Sequence, residues 1–123
     1  MPRTVAVIGA SSDRRKFGNK AVRAFRDHGD IVIPINPKET EVEGEKSYAS
    51  VLDVPGPVDI ATMYVAPAVG VRILDDIARK GIPDVWFNPG ADSPEVVERA
   101  RALGLNPIVS CSIVGIGKSP SDY

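Results

Sequence analysis

Short apolar runs alternate with amphipathic stretches along most of the chain. Five runs are rich in β-branched residues and have the length of strands buried on both faces of a parallel sheet: residues 4–8, 31–35, 58–65, 85–87 and 107–109. Three stretches place apolar residues at helical spacing: residues 17–28, 67–80 and 94–103. Each of these three stretches ends at a glycine, which is a common helix stop. The pattern therefore predicts strands and helices in regular alternation.

Alternation of this kind implies right-handed crossovers between parallel strands. We expect an α/β domain with a doubly wound, about five-stranded parallel sheet and helices on both faces. The chain has 123 residues, less than the roughly 150 usual for one domain, so a single domain over residues 1–123 is expected. Residues 38–57 have no strong period but should contain short elements, among them a helical turn near Tyr48, Val51 and Leu52. Residues from about 116 to 123 are expected to form a mobile tail.

Composition and charge exclude several classes of protein. Hydrophobic residues make up 43% of the chain and charged residues 25%, as in folded globular domains rather than disordered ones. A net charge of -1 provides no positive field for nucleic acid or an acidic membrane surface. No apolar run approaches the roughly 20 residues that span a bilayer. One cysteine and one histidine exclude an internal disulfide framework and a structural zinc site, so we expect a cytoplasmic protein without a metal.

The turn after the first strand is the main candidate for binding an anion. Gly9-Ala10-Ser11-Ser12 lies between a buried strand and a helix, where backbone N–H groups can face a phosphate. Arg14 and Lys16 add positive charge just before Phe17. We expect a diphosphate here; the alternative is a purely structural turn with a solvated basic face.

The end of the second strand separates the possible nucleotide ligands. NAD sites have an acidic residue there, which accepts hydrogen bonds from ribose hydroxyls, but this strand continues into Asn36-Pro37-Lys38. Ser11 and Arg14 also replace two glycines of the dinucleotide fingerprint. Lys38 suits a phosphorylated ribose, as in NADP or coenzyme A (CoA), unless it is merely solvated.

Five segments, in this order, resemble the small stand-alone CoA-binding proteins: VAVIGASSDRRKFGNKAV, VIPINPK, YVAPA, WFNPGA and IVSCSIVGI. The fold of that family is similar to the Rossmann-like CoA-binding domain of the succinyl-CoA synthetase α subunit. The resemblance implies that residues 11–14 meet the CoA diphosphate and that Lys38 meets the 3′-phosphate. It also implies an adenine pocket at Val65, Ala66 and Pro67 and a pantetheine path beside Asn88, Pro89 and Gly90.

Cys111 follows the last strand, and the resemblance aligns it with a cysteine common in this family. Its thiol would exchange with a CoA disulfide or lie beside the pantetheine sulfur. The alternative is a small buried apolar residue, as free cysteines usually are. His28 is expected to be structural, and the acidic residues Glu39, Glu41, Glu43 and Glu45 are expected to form a solvated loop or strand edge.

The sequence as a whole predicts a non-catalytic module that binds CoA, an acyl-CoA or a CoA disulfide. One alternative is an NADP-dependent oxidoreductase or NADP sensor. A second is a regulatory subunit that docks on a larger acyl-CoA enzyme. The sequence is also compatible with a homo-oligomer. The expected cofactor-binding residues are Gly9, Ala10, Ser11, Ser12, Arg14, Lys16, Phe17, Asn36, Pro37, Lys38, Val65, Ala66, Pro67, Asn88, Pro89, Gly90 and Cys111.

Overall fold

The computed structural model describes residues 2–123. Its strands are β1 (Thr4–Ile8), β2 (Ile31–Ile35), β3 (Glu41–Val42), β4 (Glu45–Lys46), β5 (Ile60–Met63), β6 (Asp84–Phe87) and β7 (Asn106–Val109). Its α-helices are α1 (Phe17–Asp27), α2 (Pro67–Lys80), α3 (Pro94–Ala102) and α4 (Ser112–Gly115), with 3-10 turns at Val51–Asp53 and Pro120–Asp122. These elements form one α/β unit.

The main sheet has five parallel strands in the order β2-β1-β5-β6-β7. The chain moves outward from β1 to β2 and then crosses back to β5 on the other side of β1. The order therefore reverses between β1 and β5, where ligands bind in open α/β sheets. The predicted five-stranded parallel sheet is confirmed.

Helices cover both faces of this sheet, as the sequence predicts. Val5 and Val7 of β1 pack with Val22 and Phe25 of α1 on one face, where Ile113 of α4 also lies. Alternate residues of the same strand point the other way, so Ala6 and Ile8 belong to the core formed with α2 and α3 on the opposite face. The full burial of β1 between the two cores explains its unbroken apolar sequence.

Local signals fix the ends of α2 and α3. The Ser93 hydroxyl accepts a hydrogen bond from the N–H of Val96 (3.1 Å), and Pro94 occupies the first turn of α3. Gly81 ends α2 in the left-handed conformation, with φ at 82°. These two helices therefore begin and end close to the positions that their sequences predict.

Residues 38–57 contain short elements, as expected: the two-stranded β3–β4 hairpin at residues 41–46 and the 3-10 turn Val51–Asp53. This turn does not include Tyr48, unlike the predicted helical turn. The chain end, expected to be a mobile tail, lies against α1: the Tyr123 hydroxyl donates to Asp27 Oδ2 (2.9 Å), and Arg23 donates to the Tyr123 carbonyl (3.3 Å). These contacts lie about 100 residues apart in the sequence, so local patterning does not reveal them.

Candidate functional site

A cleft of about 510 Å³ opens at the carboxyl edge of the sheet, next to the switch point between β1 and β5. The loops that follow all five parallel strands contribute to its walls. Its lining residues are Gly9, Ser11, Lys16, Phe17, Gly18, Asn36, Tyr64, Val65, Ala66, Asn88, Pro89, Gly90, Ala91 and Cys111. The cleft thus lies where ligands bind in doubly wound sheets, and it is the candidate ligand site.

Two glycines allow close backbone approaches at the β1–α1 turn, Gly9 towards the end of β5 and Gly18 between α1 and the turn itself. Gly9 has φ at +86°, and a Cβ there would lie 2.9 Å from the Tyr64 carbonyl oxygen. A Cβ on Gly18 would lie only 2.3 Å from the carbonyl oxygen of Gly9. Gly18 is not among the residues predicted from the sequence, because the dinucleotide fingerprint places its second and third glycines at the positions of Ser11 and Arg14. A glycine in the first turn of the helix is the signal that could have found it.

The N-terminus of α1 faces this cleft without a side-chain cap. Lys16 occupies the N-cap position, and its ammonium group cannot accept a hydrogen bond from the helix N–H groups. The next two residues, Phe17 and Gly18, line the cleft. Because the first N–H groups of a helix lack partners inside it and carry partial positive charge, this end favours an anionic group.

Acidic partners hold two of the three consecutive basic side chains of the turn. Arg14 lies 3.4 Å from Glu43 Oε1, on the β3–β4 hairpin. Arg15 pairs with Asp13 at 3.0 Å, and its hydrogen bonds to that carboxylate lower the pKa of Asp13 to about 2. Arg14 does not line the cleft, contrary to the position expected for a binding residue, whereas Lys16 does.

Asn36 joins the end of β2 to the β1–α1 turn. Its side-chain amide donates to the Ala10 carbonyl (2.7 Å) and accepts from the N–H of Lys38 (2.8 Å). Ala10 is buried beneath the turn, and Lys38 is exposed outside the cleft wall. Asn36 therefore fixes the relative position of two loops and also contributes to the wall itself.

A buried polar network supports the other side of the cleft. The Asn88 amide donates to Thr62 Oγ1 (2.7 Å) and to the Met63 carbonyl (2.8 Å), and it accepts from the N–H of Ser112 (2.8 Å). The Ser112 hydroxyl in turn bonds Thr62 Oγ1 (2.8 Å) and the Tyr64 hydroxyl (3.1 Å). This network fixes the residue that follows Cys111, so it holds the half-buried thiol at the cleft wall.

Tyr64 is a further cleft residue that sequence analysis missed. Burial raises the pKa of its phenol to about 12. The hydroxyl is thus protonated at neutral pH and serves as a hydrogen-bonding group rather than a base. Its position between a strand end and a helix makes it look like an ordinary core aromatic in the sequence.

The structure brings most, but not all, of the predicted residues together. Eleven of the seventeen line the cleft, namely Gly9, Ser11, Lys16, Phe17, Asn36, Val65, Ala66, Asn88, Pro89, Gly90 and Cys111. The other six do not line it: Ala10, Ser12, Arg14, Pro37, Lys38 and Pro67. The structure adds Gly18, Tyr64 and Ala91.

Two other features are absent from residues 2–123. In that range, no three His, Cys, Asp or Glu residues are grouped so that they could hold a metal ion. Over the same residues, none of the helices combines the length and the apolar character needed to cross a membrane.

Comparison with known proteins identifies relatives for this arrangement. The family described as "CoA binding domain" matches residues 3–116. The α subunit of acetate–CoA ligase (ADP-forming) II from Pyrococcus furiosus is 33% identical, and the match covers 94% of this chain and 27% of the subunit.

Two solved structures are also similar. A conserved hypothetical protein from Pyrococcus furiosus superposes with a TM-score of 0.85 at 32% identity, covering 92% of this chain and 98% of that one. A dinucleotide-forming acetyl-coenzyme A synthetase from Ca. Korarchaeum cryptofilum, in complex with phosphate and ADP, gives a TM-score of 0.77 at 31% identity, covering 89% and 26%. The chain thus spans about a quarter of these two ligase relatives and nearly all of the hypothetical protein.

Proposed function

The chain belongs to the family of CoA-binding domains, and from that membership we propose that it binds coenzyme A in the cleft at the carboxyl edge of its sheet. The observation that carries the proposal is the uncapped N-terminus of α1, which faces the cleft together with Lys16 at the topological switch point. A diphosphate placed there meets both helix N–H groups and a cation.

The remaining walls suit the other parts of the ligand. Val65 and Ala66 follow β5 and provide an apolar surface for the adenine ring, and Pro67 begins α2 directly after them. Lys38 is exposed on the β2 side, where it would meet a 3′-phosphate that projects from the cleft. The loop at Asn88, Pro89 and Gly90 would border the pantetheine arm.

We propose a binding role without catalysis for this chain by itself. The ligase relatives are about four times the length of the match, so their activity involves further parts of those proteins. His28 Nδ1 donates a hydrogen bond to Asp30 Oδ2 (2.8 Å) beyond the end of α1, and it does not line the cleft. A similar domain occurs within a larger ligase subunit, and this supports a second candidate role, in which the chain docks on a partner enzyme.

Calorimetric titration with CoA, dephospho-CoA and NADP tests the ligand. We expect CoA to bind more tightly than NADP. Lys38→Glu should weaken CoA about tenfold and change dephospho-CoA less than about twofold, because only CoA carries the 3′-phosphate that a charge at this position contacts.

Arg101→Glu is the matched control for charge reversal. Arg101 lies in the last turn of α3, at the opposite edge of the sheet, and pairs only with Glu98 at 3.9 Å. It should leave both affinities unchanged. Stronger binding of NADP than of CoA would contradict the proposed ligand, and equal losses for CoA and dephospho-CoA in Lys38→Glu would contradict the role of Lys38.

We also propose that Cys111 exchanges with a CoA disulfide. The Cys111 thiolate would attack one sulfur of the disulfide, forming a Cys111–CoA mixed disulfide and releasing the other thiol as thiolate. Intact-protein mass measurement after incubation with CoA disulfide should show the addition of one CoA, reversed by reductant. Cys111→Ser should show no adduct yet retain reversible CoA binding; wild-type protein that forms no adduct would exclude the exchange.

A further inference from the structure

An acidic side chain accepts a hydrogen bond from one backbone N–H group of the β1–α1 turn. The N–H of Ser12 donates to Glu39 Oε2 at 2.5 Å. This hydrogen bond, with a smaller contribution from Lys16, lowers the pKa of Glu39, so the carboxylate is ionised at neutral pH. The turn thus already binds an anionic group, which belongs to the chain itself.

A second carboxylate from the same segment engages the turn independently. Glu43, on the β3–β4 hairpin, lies 3.4 Å from Arg14 and accepts from the Asn19 side-chain amide (3.1 Å), which also donates to the Ser11 carbonyl (2.9 Å). Glu43 has φ at 51°, a conformation that residues other than glycine rarely adopt. Residues 39–46 therefore approach the turn with negative charge at two points.

We propose that Glu39 is an affinity-determining residue: in the free protein its carboxylate takes the place of a phosphate oxygen on the N–H of Ser12, which directly follows Ser11 of the cleft wall, and a CoA diphosphate that extends along this turn must displace it. This inference rests on the proposed function. A single N–H has one strong acceptor position, so a phosphate oxygen and the Glu39 carboxylate cannot both occupy it. The negative charges of the phosphate and of the Glu39 carboxylate would also repel each other if both lay beside the Ser12 N–H.

The consequence is a site whose affinity for diphosphates is lowered from within. Displacement exchanges one charge-assisted hydrogen bond for another and moves the Glu39 side chain into water. Lys16, which lines the cleft, then no longer acts on the Glu39 carboxylate, and its charge can interact with the ligand. Removing the charge of Glu39 while keeping its shape should therefore strengthen binding.

Glu39→Gln tests this, with inorganic pyrophosphate, dephospho-CoA and CoA as probes in calorimetric titrations. We expect the variant to bind all three about fivefold to tenfold more tightly than the wild type, because a neutral amide is a weaker competitor than a carboxylate. Glu41→Gln is the matched control: Glu41 lies in the same segment, is exposed and is not bonded to the turn, so its loss should change none of the affinities.

The other outcomes overturn the inference in distinguishable ways. If Glu39→Gln weakens CoA and dephospho-CoA but not pyrophosphate, Glu39 binds a ribose hydroxyl and is not a competitor. Unchanged affinities, or equal gains in Glu41→Gln, also reject it. If the wild type binds no CoA, the proposed function fails. Even then, a higher affinity for pyrophosphate in Glu39→Gln than in the wild type supports the role of Glu39. If pyrophosphate binds neither protein, that role is rejected.

The Ser12 amide provides a second readout in the NMR spectrum. In the free wild type, its resonance should shift as Glu39 is protonated in acid, and Glu39→Gln should abolish that shift. Saturating pyrophosphate should abolish it as well, because the carboxylate has left. A Ser12 amide that still follows the Glu39 ionisation with ligand bound would contradict displacement.

Discussion

Replacing Gly18 by alanine is expected to abolish measurable CoA binding and to lower the free energy of unfolding by about 1–3 kcal/mol. The added Cβ would lie 2.3 Å from the Gly9 carbonyl oxygen and 3.3 Å from the Cα of Ala10. Both contacts are with backbone, so no side chain can rotate away, and α1 must move back from the turn. Its N–H groups would then no longer converge with Lys16 on one phosphate position. Urea unfolding and CoA calorimetry measure the two effects.

Gly70→Ala is the control for adding a methyl group to a buried helix glycine. Its Cβ would come within 3.3 Å of Met63 Cε, the flexible end of a side chain that can adjust. Alanine also favours a helix over glycine by up to about 1 kcal/mol. We expect unfolding close to that of the wild type and unchanged CoA affinity. A Gly18→Ala protein that binds CoA normally would show that close approach of α1 to the turn is not required.

Replacing Asn88 by alanine is expected to lower the free energy of unfolding by about 2–4 kcal/mol. The change removes three hydrogen bonds and leaves the Ser112 N–H without its acceptor in a buried position. Freed from β6, the segment that carries Cys111 should become mobile, and exchange of the thiol with CoA disulfide should change in rate. Urea unfolding and the rate of adduct formation measure these effects.

Trp86 provides a direct report on that segment. It is the single tryptophan of the chain, and a Cβ on Gly115 of α4 would lie 2.8 Å from its ring, which shows how closely the two pack. Movement of α4 in Asn88→Ala should therefore expose the indole and shift its fluorescence to longer wavelength. An unchanged spectrum would contradict the view that Asn88 holds this segment in place.

Asn106→Ala is the matched control for losing an asparagine amide. Asn106 is exposed at the start of β7, and its side chain bonds only Asp84 Oδ1 (3.2 Å). Because water can replace that partner, we expect a change below about 0.5 kcal/mol and no effect on fluorescence. Similar destabilisation by both variants would show that burial of the Asn88 network contributes little.

The fold, and the edge of the sheet at which the candidate site lies, follow from local patterns in the sequence. Five short β-branched runs and three amphipathic stretches ending at Gly29, Gly81 and Gly104 correspond to the main strands and helices. These signals are local, since period and helix stops depend on neighbouring residues. Parallel topology then puts every strand's carboxyl end at one edge, so most of the loops that line the cleft could be named in advance.

The tertiary structure alone decided which side chains of those loops meet. Glu39 belongs to an acidic stretch that looks solvated in the sequence, yet it bonds Ser12, 27 residues earlier. Arg14 is basic and lies in the turn, but Glu43 holds it outside the cleft. Asn88 reaches Ser112, 24 residues later, inside the protein. The direction of a polar side chain depends on the hydrogen-bond and charge partners that folding brings near it, and neither composition nor periodicity indicates which residues those are. The burial of apolar runs, in contrast, follows from the local sequence pattern.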